Sequence, residues 1–170
     1  MEDKALLSTE VASGAEKAEL LIVIPAYNEA ENIERVVNHL TANFPQYDYV
    51  VVNDGSRDET AAICQRNGYN LLNLPVNLGL AGAFQAGLKY ADKYGYQYAV
   101  QLDGDGQHRP EYLESMIKKM EEGYDIVIGS RFVGEKKPFT MRMLGSNLIE
   151  MAIRFTTGVN IKDPTSGMRM

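Results

Sequence analysis

The chain has 170 residues, 17 basic and 23 acidic, for a net charge of −6. That length suits one domain with a sizeable core, and the charge argues against a nucleic-acid partner, which requires a basic face. A single cysteine excludes an intramolecular disulfide and fits a reducing compartment; Cys64 sits in the helical pattern A-A-I-C-Q, where a buried small hydrophobe is expected rather than a reactive thiol.

Residues 1–19 are mixed and polar, with Glu2 and Asp3 where a signal peptide would be basic, and read as a flexible N-terminal extension. The longest apolar run, Leu20 to Ile24, is too short to span a bilayer. This β-branched run, bounded by Pro25, predicts a buried strand. Asn28 is the expected cap of a helix reaching about residue 42, with Glu31 completing a capping-box start. Tyr49 to Val52 predict a second strand that ends in Asn53-Asp54-Gly55-Ser56. Ser56 and Glu59 form the next capping box, and Gly68 closes that helix. Tyr69 to Leu74 make a weaker third strand, and Asn77-Leu78-Gly79 leads into a long helical pattern ending near Gly95. A fourth strand, Tyr98 to Leu102, stops at Asp103-Gly104-Asp105-Gly106-Gln107. Pro110 opens the next helix, Gly123 stops it, and Asp125 to Ile128 predict a fifth strand ending in Gly129-Ser130-Arg131.

Strands alternating with helices at this spacing predict right-handed crossovers and a mostly parallel sheet flanked by helices, an α/β fold. Ligands of such sheets sit outside the carboxyl ends of the strands. Tyr27-Asn28-Glu29, Asp54, Asn77, Asp103 with Asp105, and Ser130-Arg131 all fall at such ends. The opposite ends, residues 44–47 and 93–96, look like plain connections.

Asp103 and Asp105, separated and followed by glycine, place two carboxylates on a tight, permissive backbone. Their mutual repulsion would be relieved by a divalent cation, and Mg²⁺ favours one or two carboxylates together with substrate phosphates. The pattern predicts a metal–diphosphate site; its plain alternative is a turn, for which Asp and Gly are the usual residues.

The segments P-A-Y-N-E-A-E-N, V-V-N-D-G-S-R-D, N-L-G-L-A-G-A, D-G-D-G-Q-H and G-S-R-F, in that order, resemble the inverting nucleotide-sugar glycosyltransferases of family 2. Arg142, Ser146-Asn147 and D-P-T-S-G-M-R at 163–169 resemble the dolichol- or polyprenol-phosphate sugar synthase branch of that family. The likeness covers residues 20–170 and implies a Rossmann-like GT-A domain there. Family members continue beyond the segment matching S-G-M-R, so it also implies that the domain is truncated at Met170. Asn53 stands where many members carry a second aspartate.

The resemblance implies a set of roles. Pro25, Ala26, Tyr27, Glu29 and Asp54 would hold the nucleoside, with Asp54 accepting an N–H of the base; Asn77, Gly79, Asp103, Arg131 and Arg169 complete the nucleotide-sugar set. Asp54 could instead be a turn or cap residue. Asp103, Asp105 and Gln107 would bind Mg²⁺ or Mn²⁺ against the diphosphate, neutralising the leaving group. Asp105, Arg131 and Asp163 are the candidate catalytic residues. Each arginine has a plain alternative as a solvated surface charge. His108 reads as a loop hydrogen-bonder.

The implied reaction moves a sugar from a UDP- or GDP-linked donor to a polyprenyl phosphate, in the cytoplasm or at the cytoplasmic face of a membrane. A phosphate acceptor is already anionic and needs positioning cations such as Arg131, Arg142 and Arg169; a hydroxyl acceptor would need a general base, for which Asp163 is available. Two alternatives are transfer to a glycan hydroxyl and nucleotide-sugar binding without catalysis. A dinucleotide dehydrogenase is disfavoured, since no G-x-G-x-x-G follows the first strand. Leu144, Leu148, Met151 and Phe155 recur at helical spacing; the stripe is expected in the core, with a face lying on a membrane as its alternative.

Overall fold

The computed structural model describes residues 19–104, 110–129, 149, 151, 154–156, 158 and 167–170. They fall into two compact units, residues 1–110 and 111–170.

The first unit is built on four parallel strands: β1 (Leu20–Ala26), β2 (Asp48–Asn53), β3 (Leu71–Asn73) and β4 (Tyr98–Gln101), in the order β3-β2-β1-β4. Every residue of β1 is buried, as expected for a continuous apolar run covered on both faces. Leu21 and Val23 cluster with Val50, Val52 and with Ala83 and Ala91 of helix α3 (Gly79–Tyr94). Gly87 lets α3 lie flat on β1, because a Cβ there would sit 2.2 Å from Val23 Cγ1. Helix α1 (Ile33–Asn43) buries Ile33, Val36, Val37 and Leu40 at helical spacing and packs beside α2 (Thr60–Arg66).

Three local expectations are corrected. Strand β1 runs through Pro25 to Ala26 rather than stopping at Ile24. Asn28 caps no helix: its φ is +56° and α1 begins at Ile33. Ser56 and Glu59 do not form a capping box; the first-turn N–H of Thr60 is taken by Asp58 Oδ1 at 3.0 Å. Pairing with β2 carries β1 through Pro25 and Ala26, and contacts between the loops holding Asn28 and Ser56 outweigh the two local capping patterns. Gly68 and Gly95 do close α2 and α3 in left-handed conformations, with φ of +67° and +70°.

In the second unit, helix α4 (Leu113–Glu121) buries Leu113 and Met116 and carries the exposed pairs Lys118–Glu114 and Lys119–Glu122. The expected strand at 125–128 is instead an isolated antiparallel bridge, Ile128 to Arg169. Val127 and Met170 exchange backbone hydrogen bonds, and Gly129 N–H donates to Met168 O; both methionines are buried. Long-range pairing with 168–170 thus satisfies a segment whose composition suggested a regular strand. Ile149, Met151 and residues 154–156 are helical, and Met151 and Phe155 are exposed, 66% and 92%, contrary to the core expectation; Leu144 and Leu148 lie outside the described residues.

Candidate functional site

The strand order places β2 and β3 on one side of β1 and β4 on the other, so the chain reverses its direction of winding between β1 and β4, where open α/β sheets bind ligands. Pro25 opens this point. In a parallel strand, alternate residues face the same neighbour; Val23 O accepts Leu102 N–H on the β4 side, so Pro25 comes next on that side and has no N–H to give. The paired register ends at Val23 and Gln101. Beyond it lies an open recess of about 230 Å³ lined by Pro25, Ala26, Tyr27, Glu29, Asp54, Leu80, Ala83, Asp103 and Gly104. Gly104 comes close to β1, since a Cβ there would stand 3.1 Å from Pro25 O.

Asp54 is 3% exposed, and its Oδ1 accepts the Leu78 N–H at 2.7 Å. No described residue donates to Oδ2. A buried carboxylate with one oxygen unanswered costs at least about 1–3 kcal/mol, which a ligand donor would offset. The contact is held from both sides. Gly55, with φ +65°, lets segment 76–77 pass so closely that a Cβ would sit 2.7 Å from Asn77 N and Val76 C. Asn77 Oδ1 accepts the Gly79 N–H at 3.0 Å, and Gly79, with φ +74°, starts α3. Asn77 and Gly79 do not line the recess; they aim the Leu78 N–H at Asp54.

The loops after β1 and β2 are tied together. Asn28 N–H donates to Ser56 Oγ (3.0 Å), Glu29 N–H to Thr60 Oγ1 (2.9 Å), Ala30 N–H to Asp58 Oδ2 (3.1 Å) and Arg57 N–H to Asn28 Oδ1 (2.9 Å). Burial alone would raise the Asp58 pKa, but the bonds from Thr60 and Ala30 outweigh it and hold the carboxyl below its ordinary value. These stitches fix Tyr27 and Glu29 at the recess. Sequence reasoning missed Asp58 and Thr60; polar residues at matching places after two adjacent strands are the signal for them.

Asp103 lines the recess at the end of β4, and its Oδ1 accepts from Nε2 of buried Gln101 at 2.8 Å. Asp105, Gln107 and His108 lie outside the described residues, as do Arg131, Arg142, Ser146, Asn147 and Asp163. Among the described residues no cluster of three metal-binding side chains occurs. An aspartate at a glycine-flanked strand end beside an open recess nonetheless fits an oxygen-coordinated cation. Arg169 belongs to the second unit, where it is exposed and bridged to Ile128 through the backbone.

The Glycosyl transferase family 2 model matches residues 21–170. The chain belongs to that family. It is 34% identical over 158 residues to polyprenol monophosphomannose synthase of Mycolicibacterium smegmatis, covering 88% of this chain and 60% of that protein. It is 32% identical over 158 residues to undecaprenyl-phosphate mannosyltransferase of Micrococcus luteus, covering 88% and 65%. The chain therefore spans about three-fifths of the length of these family 2 relatives. Glucosyl-3-phosphoglycerate synthase from Mycobacterium tuberculosis, solved with Mn²⁺, UDP and phosphoglyceric acid, superposes with a TM-score of 0.67 over 88% of this chain and 54% of its own, at 21% identity. That likeness bears out the expected GT-A fold.

Proposed function

We propose that this family 2 chain transfers a sugar from a nucleoside-diphosphate sugar to a polyprenyl phosphate, with inversion at the anomeric carbon and with help from Mg²⁺ or Mn²⁺. The observation that carries the reading is the recess at the β1/β4 switch point, with Asp54 buried and half-satisfied on one side and Asp103 on the other. Two groups of unlike role, a base reader and a phosphate-side carboxylate, face one space sized for part of a nucleotide. The named activities of the two curated relatives, each transferring mannose to a polyprenyl phosphate, support the choice of acceptor.

In this reading the base and ribose occupy the side of Pro25, Ala26, Tyr27, Glu29 and Asp54. Asp103, with Asp105 and Gln107, would hold the cation. The cation, when bound, neutralises negative charge on the departing diphosphate. Gln101 fixes Asp103 by a hydrogen bond to Oδ1, so the carboxylate is oriented before the cation arrives. An oxygen of the acceptor phosphate bonds to the anomeric carbon as the bond from that carbon to the donor diphosphate breaks, its electron pair leaving with the nucleoside diphosphate. No proton has to be removed, because the acceptor is already ionised. Arg131, Arg142 and Arg169 are the cations that would reduce repulsion between acceptor and donor. No helix among the described residues is long and apolar enough to cross a membrane. Exposed Ile149, Met151 and Phe155 support peripheral contact with the membrane that carries the acceptor.

The test offers the protein labelled UDP- and GDP-sugars with a short-chain polyprenyl phosphate, the matching polyprenol and simple sugar alcohols, with and without Mn²⁺. Label should appear on the lipid phosphate, in the inverted configuration, only with the metal. Transfer to the alcohols but not to the lipid phosphate would overturn the acceptor and move the base role to Asp163.

A further inference from the structure

Resting on the reading of the recess as a donor site, we infer that Thr60, which does not line it, is a positioning residue for donor binding: its hydroxyl holds the main chain of Glu29 in place at the recess. Thr60 is a polar side chain with no exposed surface, 31 residues along the chain from the residue it serves. Its Oγ1 accepts the Glu29 N–H at 2.9 Å and donates to Asp58 Oδ1. Chemistry fixes the direction of that relay. Asp58 is held below its ordinary pKa, so at neutral pH it is a carboxylate and can only accept. The single hydroxyl proton of Thr60 therefore goes to Asp58, and an Oγ1 lone pair receives Glu29.

Glu29 is anchored at three points. Its carbonyl accepts the N–H groups of Asn32 and Ile33, both at 2.9 Å, and its Oε2 accepts from Asn32 Nδ2 at 2.9 Å. Those two anchors belong to the turn that Glu29 itself opens into α1, and they move with it. Among the described residues, only the Thr60 anchor ties Glu29 itself to the element that follows β2. The neighbouring stitches at Asn28, Ala30 and Arg57 are exposed, where water replaces a lost bond. The bond to Thr60 is partly buried, and its acceptor side chain is out of reach of water. The position of Glu29 matters across the recess. A Cβ on Gly104 would stand 3.5 Å from Glu29 Cγ, so Glu29 abuts the backbone beside Asp103. Loss of the Thr60 hydroxyl thus loosens the wall that Glu29 and Gly104 share, without removing any group that lines it.

The experiment is calorimetric titration of the whole chain with UDP and with GDP at one fixed Mn²⁺ concentration, at a temperature where thermal unfolding shows the variants folded. Thr60→Val keeps the shape and removes the acceptor. It should weaken the more tightly bound of the two nucleotides about fivefold, since Glu29 must then be ordered on binding. Thr60→Ser keeps the hydroxyl and should bind within about twofold of wild type. Tyr96→Phe, which loses a hydroxyl bond at the other end of the sheet, should also bind within about twofold. Asp58→Ala leaves the Thr60 hydroxyl free to turn and should weaken binding about threefold; it carries the test if Thr60→Val does not fold. Wild-type affinity in Thr60→Val or in Asp58→Ala overturns the inference and leaves the proposed transfer standing. So does a loss in Thr60→Ser or Tyr96→Phe equal to that in Thr60→Val, because affinity then follows packing or bulk stability rather than the hydroxyl. Binding of neither nucleotide by the wild-type chain overturns the inference and the proposed function together.

Discussion

Asp48 and Asp54 stand at the two ends of β2, one opening the strand and the other following its last residue. Asp48 is partly exposed, and its Oδ2 accepts the Tyr96 hydroxyl at 2.8 Å. Around it the amino ends of the strands close on themselves, with Gln97 and Tyr98 N–H groups both donating to Glu19 O. Asp54 is far more buried, yet it keeps an oxygen that no described residue answers. Each carboxylate has one oxygen answered by a described residue, so what separates the two ends is burial: water reaches Asp48, whereas the second oxygen of Asp54 is costly unless a donor beyond the described residues completes it.

The largest effect that would break this contrast is at Gly55. Gly55→Ala should destabilise the protein by about 3 kcal/mol, the sum of left-handed strain and a backbone collision at 2.7 Å. Gly68 has nearly the same φ but open space at its Cβ, so Gly68→Ala should cost only about 1 kcal/mol. Urea unfolding of the two variants checks the difference, and equal costs would mean that segment 76–77 does not press on β2.

Next in size is the pair of strand-end carboxylates. Asp54→Asn should weaken UDP binding about tenfold, whereas Asp48→Asn should leave it within about twofold. Comparable losses in calorimetry would erase the distinction between the two ends. Tyr96→Phe should cost about 1 kcal/mol of stability through the lost bond to Asp48 and leave nucleotide affinity unchanged.

The smallest expected effects are in pH dependence, and they have opposite signs. Burial first, then the bond to Asp48 and its charge, raise the Tyr96 pKa above the ordinary 10.0. The folded state therefore keeps a proton that the unfolded chain releases, so this contribution is whole below pH 10 and fades as the pH rises beyond it. Asp58 is held below its ordinary 3.8, so its contribution is whole above that value and fades as the pH falls through it. Stability curves of Tyr96→Phe and Asp58→Asn should flatten only at the alkaline and acid limbs respectively. A variant that flattens the other limb would assign the titration to a different group.

Much of the first unit is legible in the amino-acid sequence. The apolar runs located β1 to β4, Gly68 and Gly95 marked helix ends, and the polar clusters of strand-loop junctions pointed to one end of the sheet. Asp54 and Asp103 do line one recess, and so do Pro25, Ala26, Tyr27 and Glu29. Asn77 and Gly79 do not; they lie just outside it, shaping the turn that carries Leu78.

What the chain's order of residues determined by itself was local: periodicity, punctuation by glycine and proline, and the alternation that makes an α/β sheet parallel. These signals act within a few residues, because they depend on backbone dihedrals and on side chains one turn or one pleat apart. Only the tertiary structure decided which partners the loops chose. Asn28 reads as a helix cap until Ser56 and Arg57, brought alongside by the β1–β2 pairing, take its backbone N–H and its side-chain oxygen. Residues 125–128 read as a strand until residues 168–170 take part of the segment as an antiparallel partner. Asp54 could be placed at a strand end from composition, but the spending of one of its oxygens on an N–H 24 residues away is a matter of packing, and no local pattern encodes it.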